Sequence, residues 1–134
     1  MFQKADLVRM KDNKFWIIIS GISGFLAVAL GAFGAHGLRS TVPPEMLDIY
    51  KTGVLYHLIH SAVLLAISLN SNKMLYASAF FFLAGIILFS FSLYLYAITG
   101  IMAFAIITPF GGISLLVGWL FVIIEAIKSS NKAQ

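Results

Sequence analysis

The chain is 134 residues long, 60% hydrophobic and only 10% charged, with a formal net charge of +4 and a mean hydropathy of +0.97. A water-soluble domain of this length has too little interior to hide so much apolar surface, so lipid is the solvent these side chains imply. There is no cysteine, which excludes disulfides, thiolate metal sites and a cysteine nucleophile, and the basic residues sit at the edges of apolar runs, where they meet anionic lipid rather than nucleic acid.

Met1 to Lys14 is polar and carries Lys4, Arg9, Lys11 and Lys14. It has the charge of a signal-peptide start, but the apolar run behind it is too long and Ala32-Phe33-Gly34 is a poor cleavage match. The segment is therefore expected to persist as a signal anchor. Phe15 to Leu38 gives 24 residues without Asp, Glu, Lys or Arg, enough at about 1.5 Å per residue to cross a hydrocarbon core of about 30 Å with some tilt. Within it Ser23, Ala27, Gly31 and Ala35 recur every fourth position, a stripe of small side chains along which helix backbones in lipid approach closely. The run closes on Gly31-Ala32-Phe33-Gly34-Ala35-His36-Gly37-Leu38, its densest cluster of small residues, with His36 its one ionisable side chain.

Arg39 to Lys51 is a connection. Ser40 or Thr41 can cap the next helix, Pro43-Pro44 suits a helix start, and Glu45 and Asp48 suit its dipole. The uncharged stretch Thr52 to Asn72 holds Tyr56-His57-Leu58-Ile59-His60-Ser61, with His57 and His60 three apart on one face. Asn70-Ser71-Asn72-Lys73 is a short polar turn, which predicts antiparallel second and third helices. Met74 to Ile124 is 51 residues without a charge, enough for two spans broken at Thr99-Gly100. The third helix carries Phe80, Phe81, Phe82, Phe89 and Phe91 around its circumference, as a lipid-facing surface would, with Ser90, Ser92 and Tyr94 as polar exceptions. Tyr94 and Tyr96, with Tyr50 and Tyr56, fit an interfacial aromatic belt. In the fourth, Thr108-Pro109-Phe110-Gly111-Gly112 predicts a kink or interruption, because proline lacks a donor and crowds the carbonyl four residues back. Gly111, Ser114 and Gly118 form a second small stripe, suited to face the first helix, and Glu125 with Lys128 reads as a solvated pair.

Ionisable groups inside a membrane are uncommon and often functional. Measured inward from Leu38 and Lys51, His36 lies about 3 Å deep, His57 about 9 Å and His60 about 13.5 Å. Two facing histidines could ligate a haem or metal, or one could bond a quinone, but the depth difference between His36 and His60 suits a haem poorly. The alternative for each is a neutral imidazole bonded to a neighbouring helix. His36, His60, Ser92, Tyr94 and Thr108 form the candidate polar pocket. No Asp or Glu lies in a membrane run, and no GxSxG, Walker or HExxH pattern occurs, so no catalytic residue, metal set or cofactor is assigned.

Together, Gly31-Ala32-Phe33-Gly34-Ala35-His36-Gly37-Leu38, Tyr56-x-x-x-His60-x-x-x-Leu64-Leu65, Phe89-Ser90-x-Ser92-Leu93-Tyr94 and Thr108-Pro109-x-Gly111-Gly112 with Gly118-Trp119 resemble a known family. It is the domain-of-unknown-function 423 family, small four-helix membrane proteins of bacteria, similar to eukaryotic transmembrane protein 256. The resemblance covers about Trp16 to Glu125. It implies an inner-membrane four-helix protein and no reaction. The family's recurring positions match His36, His60, Tyr94, Thr108, Gly111 and Gly112. His57 departs from the pattern, which more usually has a polar amide-type residue there.

The expected fold is an all-α polytopic membrane protein, an antiparallel bundle of four transmembrane helices (about 15–38, 50–70, 74–98 and 101–127) with the fourth kinked at Pro109. A segment 1–14 precedes it and a tail 129–134 follows. The expected role is non-enzymatic: a packing, assembly or accessory subunit, self-associating or joined to a larger membrane complex. A small transporter or channel around His36 and His60 is the alternative, and a haem- or quinone-binding module a further one. Seven of the Lys and Arg residues fall on the side of the termini and the second loop, against Arg39 and Lys51 on the other, which places both termini in the cytoplasm. A dual reporter fused after Gln134 is expected to give the cytoplasmic signal; an external signal alone would overturn this topology.

Overall fold

A computed structural model of the chain describes residues 4–70 and 75–131, with side chains from 13 to 70 and from 75 to 130. The expected turn at 71–73 and the end of the tail lie outside them, as do the side chains of Lys4, Arg9 and Lys11. Helix α1 runs Lys4–Phe33 and continues as a π-helical turn, Gly34–Leu38. Helix α2 is Pro44–Ser68. Helix α3 spans Leu75–Thr99: α-helical over Leu75–Gly85, π-helical over Ile86–Phe91, α-helical again over Ser92–Thr99. Helix α4 is Met102–Asn131. All four are long and apolar enough to cross a membrane, and no strand occurs among the described residues.

The joints follow from local chemistry. Proline opens α2 where its missing donor costs nothing. The expected cap from Ser40 or Thr41 does not form: no side chain caps α2, and the Thr41 hydroxyl turns back to the Leu38 carbonyl at 3.2 Å, at the end of α1. Gly100, at φ +68°, closes α3, and its N–H reaches the Tyr96 carbonyl at 2.8 Å. No interruption occurs at Pro109, which sits inside an unbroken α4. Two π segments, in α1 and α3, add an extra residue per turn and rotate the buried face.

The buried face of α2 is Tyr50, Gly53, His57, His60, Leu64 and Ile67, alternating steps of three and four, with Ser61 and Ser68 beside it. That spacing averages 3.5 and keeps one stripe toward the neighbours. The pattern is inverted relative to a soluble helix: small and polar groups face inward while Leu55, Leu58, Ile59 and Leu65 face out. In lipid, apolar side chains gain nothing by hiding, so close packing and hydrogen bonds choose the interior. In α1 the same alternation buries Ser20, Ser23, Ala27, Gly34 and Leu38. Ala35, the last rung of the predicted four-residue ladder, is exposed. A strict step of four drifts about 40° per rung around an α-helix, so Gly34 replaces it at the interface.

Helix α1 packs on α2, α2 on α3, and α3 on α4; α1 and α4 do not pair. The second small stripe therefore faces α3, not α1 as expected. A Cβ at Gly111 would overlap the backbone of Leu88 and Phe89 in the π segment, Ser114 donates to the Phe81 carbonyl at 2.8 Å, and a Cβ at Gly118 would stand 2.9 Å from the Phe82 ring. The lipid-facing role expected for all five phenylalanines holds for Phe80 but not for Phe82, which is fully buried against α4. The Gly31-to-Leu38 cluster has a specific occupant: Tyr50 is 0% exposed, and its ring lies where a Cβ on Gly34 would come within 2.5 Å.

Backbone cannot yield as a flexible side chain can. Gly111→Ala is expected to destabilise the protein by about 1–3 kcal/mol, whereas Gly112→Ala, whose Cβ would meet the Phe89 ring at an ordinary 3.8 Å, is expected to be nearly neutral. Thermal unfolding in detergent checks the contrast.

Candidate functional site

Two histidines lie at the centre, one turn apart on α2. His57 is 1% exposed. Its Nδ1 is 3.2 Å from the Tyr94 hydroxyl of α3 and its Nε2 is 3.2 Å from Ser23 Oγ of α1. Ser23 Oγ lies 2.7 Å from Ser61 Oγ, and Ser61 donates to the His57 backbone carbonyl at 2.7 Å. The proton positions follow by elimination, since each hydroxyl has one proton and a carbonyl only accepts. The Ser61 proton goes to the carbonyl, so Ser23 donates to Ser61 and accepts from His57 Nε2–H. Nδ1 then accepts from Tyr94. A single directed chain, Tyr94 to His57 to Ser23 to Ser61 to a carbonyl, ties three helices together. Beside it, the Tyr50 hydroxyl donates to the Leu30 carbonyl at 2.9 Å, and the Tyr50 and Tyr94 rings pack with centroids 4.7 Å apart. Neither tyrosine belongs to the predicted aromatic belt, because each hydroxyl finds its partner on a neighbouring helix instead of in interfacial water.

His60 has the opposite polarity. Its Nδ1 lies 2.8 Å from the Tyr56 carbonyl, so this nitrogen carries the proton. Nε2 therefore holds the lone pair, and the Trp119 indole N–H of α4 points to it at 3.4 Å. The two observations require the same tautomer. His60 stacks on Tyr56 and is flanked by Phe82 and Trp119. It forms part of the wall of a cleft of about 380 Å³ bounded by Tyr56, Phe89, Gly112, Leu116 and Trp119.

The candidate pocket thus separates into parts. Ser92 and Thr108 do meet, with their hydroxyls 2.8 Å apart across α3 and α4; the Phe89 carbonyl lies 2.8 Å from Ser92 Oγ and the Phe104 carbonyl 3.4 Å from Thr108 Oγ1. Tyr94 belongs to the His57 chain and His60 to the Trp119 cleft. His36 is exposed in the middle of the π turn that ends α1. Ser90 Oγ, fully buried in the π segment, has no hydrogen-bond partner. Sequence reasoning left His57 out of the candidate pocket, because it departs from the family pattern that His36 matches. The available signal was the step of seven from Tyr50 to His57 to Leu64, which puts His57 on the same inward stripe. Trp119, which entered the sequence reading only through the Gly118-Trp119 match, is the hydrogen-bond donor facing His60.

The family model described as a protein of unknown function, DUF423, matches residues 30–112. A membrane protein YwdK of Bacillus subtilis (strain 168) is 38% identical over 120 residues, covering 86% of this chain and 98% of that protein. The chain belongs to the DUF423 family. An inner membrane protein YgdD of Escherichia coli (strain K12) is 36% identical over 124 residues, covering 90% of this chain and 95% of its own. A membrane protein of Haemophilus influenzae is 38% identical over 122 residues, with coverage of 89% and 98%. No solved structure gives a significant match. The stretch matched to the DUF423 model contains Tyr50, His57, His60, Tyr94 and Thr108, whereas Ser23 and Trp119, which complete the two histidine clusters, lie outside it.

The directed chain makes a spectroscopic prediction. In nitrogen-15 NMR of histidine-labelled protein, His57 is expected as the Nε2–H tautomer and His60 as the Nδ1–H tautomer. Tyr94→Phe is expected to release the His57 preference, leave His60 unchanged and cost about 0.6–1.7 kcal/mol of stability, the size of hydrogen bonds between membrane helices.

Proposed function

We propose that this DUF423 protein is a non-enzymatic accessory or assembly subunit of the bacterial inner membrane, with both termini in the cytoplasm, acting as a homo-oligomer or within a larger membrane complex. The observation that carries this is where buried surface lies. Only 22% of the α1 span and 17% of the α4 span is buried, against 39% for each of α2 and α3. The outer helices present long apolar faces to lipid or to a neighbouring protein. The polar interior supports the same role: the His57 chain ends on a carbonyl, which makes it a clasp between helices, and Ser92 with Thr108 ends on another. A transporter around His36 and His60 would need those groups to share a path. His36 is exposed at the end of α1, while His60 faces Trp119.

Native mass spectrometry on protein extracted gently from its own membranes tests the role. A larger assembly with a fixed additional mass, or clean multiples of the chain, is expected. A bare chain of 14.7 kDa in every mild detergent would overturn the proposal.

A further inference from the structure

We propose that the cleft between α2, α3 and α4 binds the hydroxyl-bearing aromatic head of a membrane-dissolved molecule of the benzoquinol class, in preference to the corresponding quinone. This is independent of the accessory role: it concerns a ligand, not an assembly.

Four observations converge on this site. The cleft holds about 380 Å³, within the range of about 300–1,000 Å³ typical of small-molecule sites. It opens sideways at mid-membrane. His60 is nine residues beyond Lys51 and eight short of Ser68, about 13.5 Å and 12 Å along the axis. The rim residues Leu116, Trp119 and Tyr56 are 70%, 41% and 39% exposed on the outer surface. A molecule reaching this cleft therefore arrives through hydrocarbon. The walls are rings: Tyr56 and Phe89 lie with centroids 4.4 Å apart, and Tyr56 stacks on His60 at 5.8 Å. Gly112 supplies a floor with no side chain between the cleft and the Phe89 ring. A flat ring is the shape such walls accept.

The hydrogen-bond polarity selects the functional group. His60 Nδ1–H is held by the Tyr56 carbonyl, so Nε2 can only accept. Its present donor, Trp119 N–H, stands at 3.4 Å, at the long end of hydrogen-bond range. When Trp119, 41% exposed at the rim, swings outward to admit it, a hydroxyl replaces this direct bond, accepting from the indole and donating to the imidazole. A quinone carbonyl can only accept. It could bond Trp119 but would set its lone pair against the lone pair of Nε2, leaving a buried acceptor unmatched. A saturated lipid chain fills volume but has neither group. The site is therefore specific for the reduced form, through a single hydroxyl.

Calorimetric titration of the intact protein in lipid nanodiscs, with a decyl-substituted benzoquinol kept reduced and separately with its quinone, decides the matter. The quinol is expected to bind at least about tenfold more tightly, the ratio that one well-made hydrogen bond supplies. His60→Phe keeps the ring and removes the acceptor, and is expected to bring the two affinities together. Gly112→Leu, which fills the floor, is expected to weaken quinol binding by tenfold or more at an unchanged melting temperature. Equal affinities in the unmodified protein, absence of binding by both, or full quinol affinity in folded Gly112→Leu would each overturn the proposal. The quinol–quinone contrast needs no variant, so misfolding of one does not leave it undecided.

Discussion

A hydroxyl or imidazole inside hydrocarbon has no water to bond, and this constraint arranges the molecule. Each unmatched group costs several kcal/mol there. The chain places serine, histidine and tyrosine on the inward faces of α1, α2 and α3, and the helices come together where those groups complete one another. Tyr94, His57, Ser23 and Ser61 are the central case. Each hydroxyl proton has one destination, so the chain of bonds has one direction and the imidazole one tautomer. Such a network fixes rotation and register of three helices together, which apolar contacts between leucines cannot do in lipid.

Close approach of backbones is the second requirement, and glycine meets it where it is tightest. Gly34 admits the Tyr50 ring, Gly111 admits the backbone of Leu88 and Phe89, and Gly85 and Gly118 admit Leu115 and Phe82. The π segments belong to the same economy of space. An extra residue in a turn rotates one face relative to the next, and in α1 the π turn carries the inward stripe on from Gly34, which lies under Tyr50, to Leu38. In α3 it brings the Phe89 backbone against Gly111 and the Phe89 carbonyl under Ser92. The result is a series in which α2 and α3 are the shared core and α1 and α4 flank it.

The two histidines show how one helix face can serve two ends. They are three residues apart, yet His57 turns to α1 and Tyr94 while His60 turns to Trp119. The first has both ring nitrogens engaged by side chains of the packed interior. The second bonds a backbone carbonyl and the Trp119 N–H at the wall of a cleft that opens toward lipid. Opposite tautomers follow directly, because the Tyr56 carbonyl demands a donor and the Tyr94 hydroxyl, with its proton otherwise unplaced, supplies one.

Much of the fold was written into local composition. Four charge-poor runs, the Pro43-Pro44 start, the Gly100 stop and the absence of any strand pattern determine four membrane helices, because length and hydropathy act residue by residue and need no partner. The resemblance carried by the glycine cluster, the histidine stretch and the Thr108-Pro109 segment determined the family. Which helix meets which was decided by tertiary structure alone. The small stripe of Gly111, Ser114 and Gly118 is equally suited to any flat neighbour, and only the π segment of α3 offers backbone at the required depth. The same holds for the candidate site. His36 and His57 look alike as isolated letters, and only the rotation imposed by packing exposes one and buries the other. A side chain's type is a property of the sequence; its hydrogen-bond partner is a property of two helices at once.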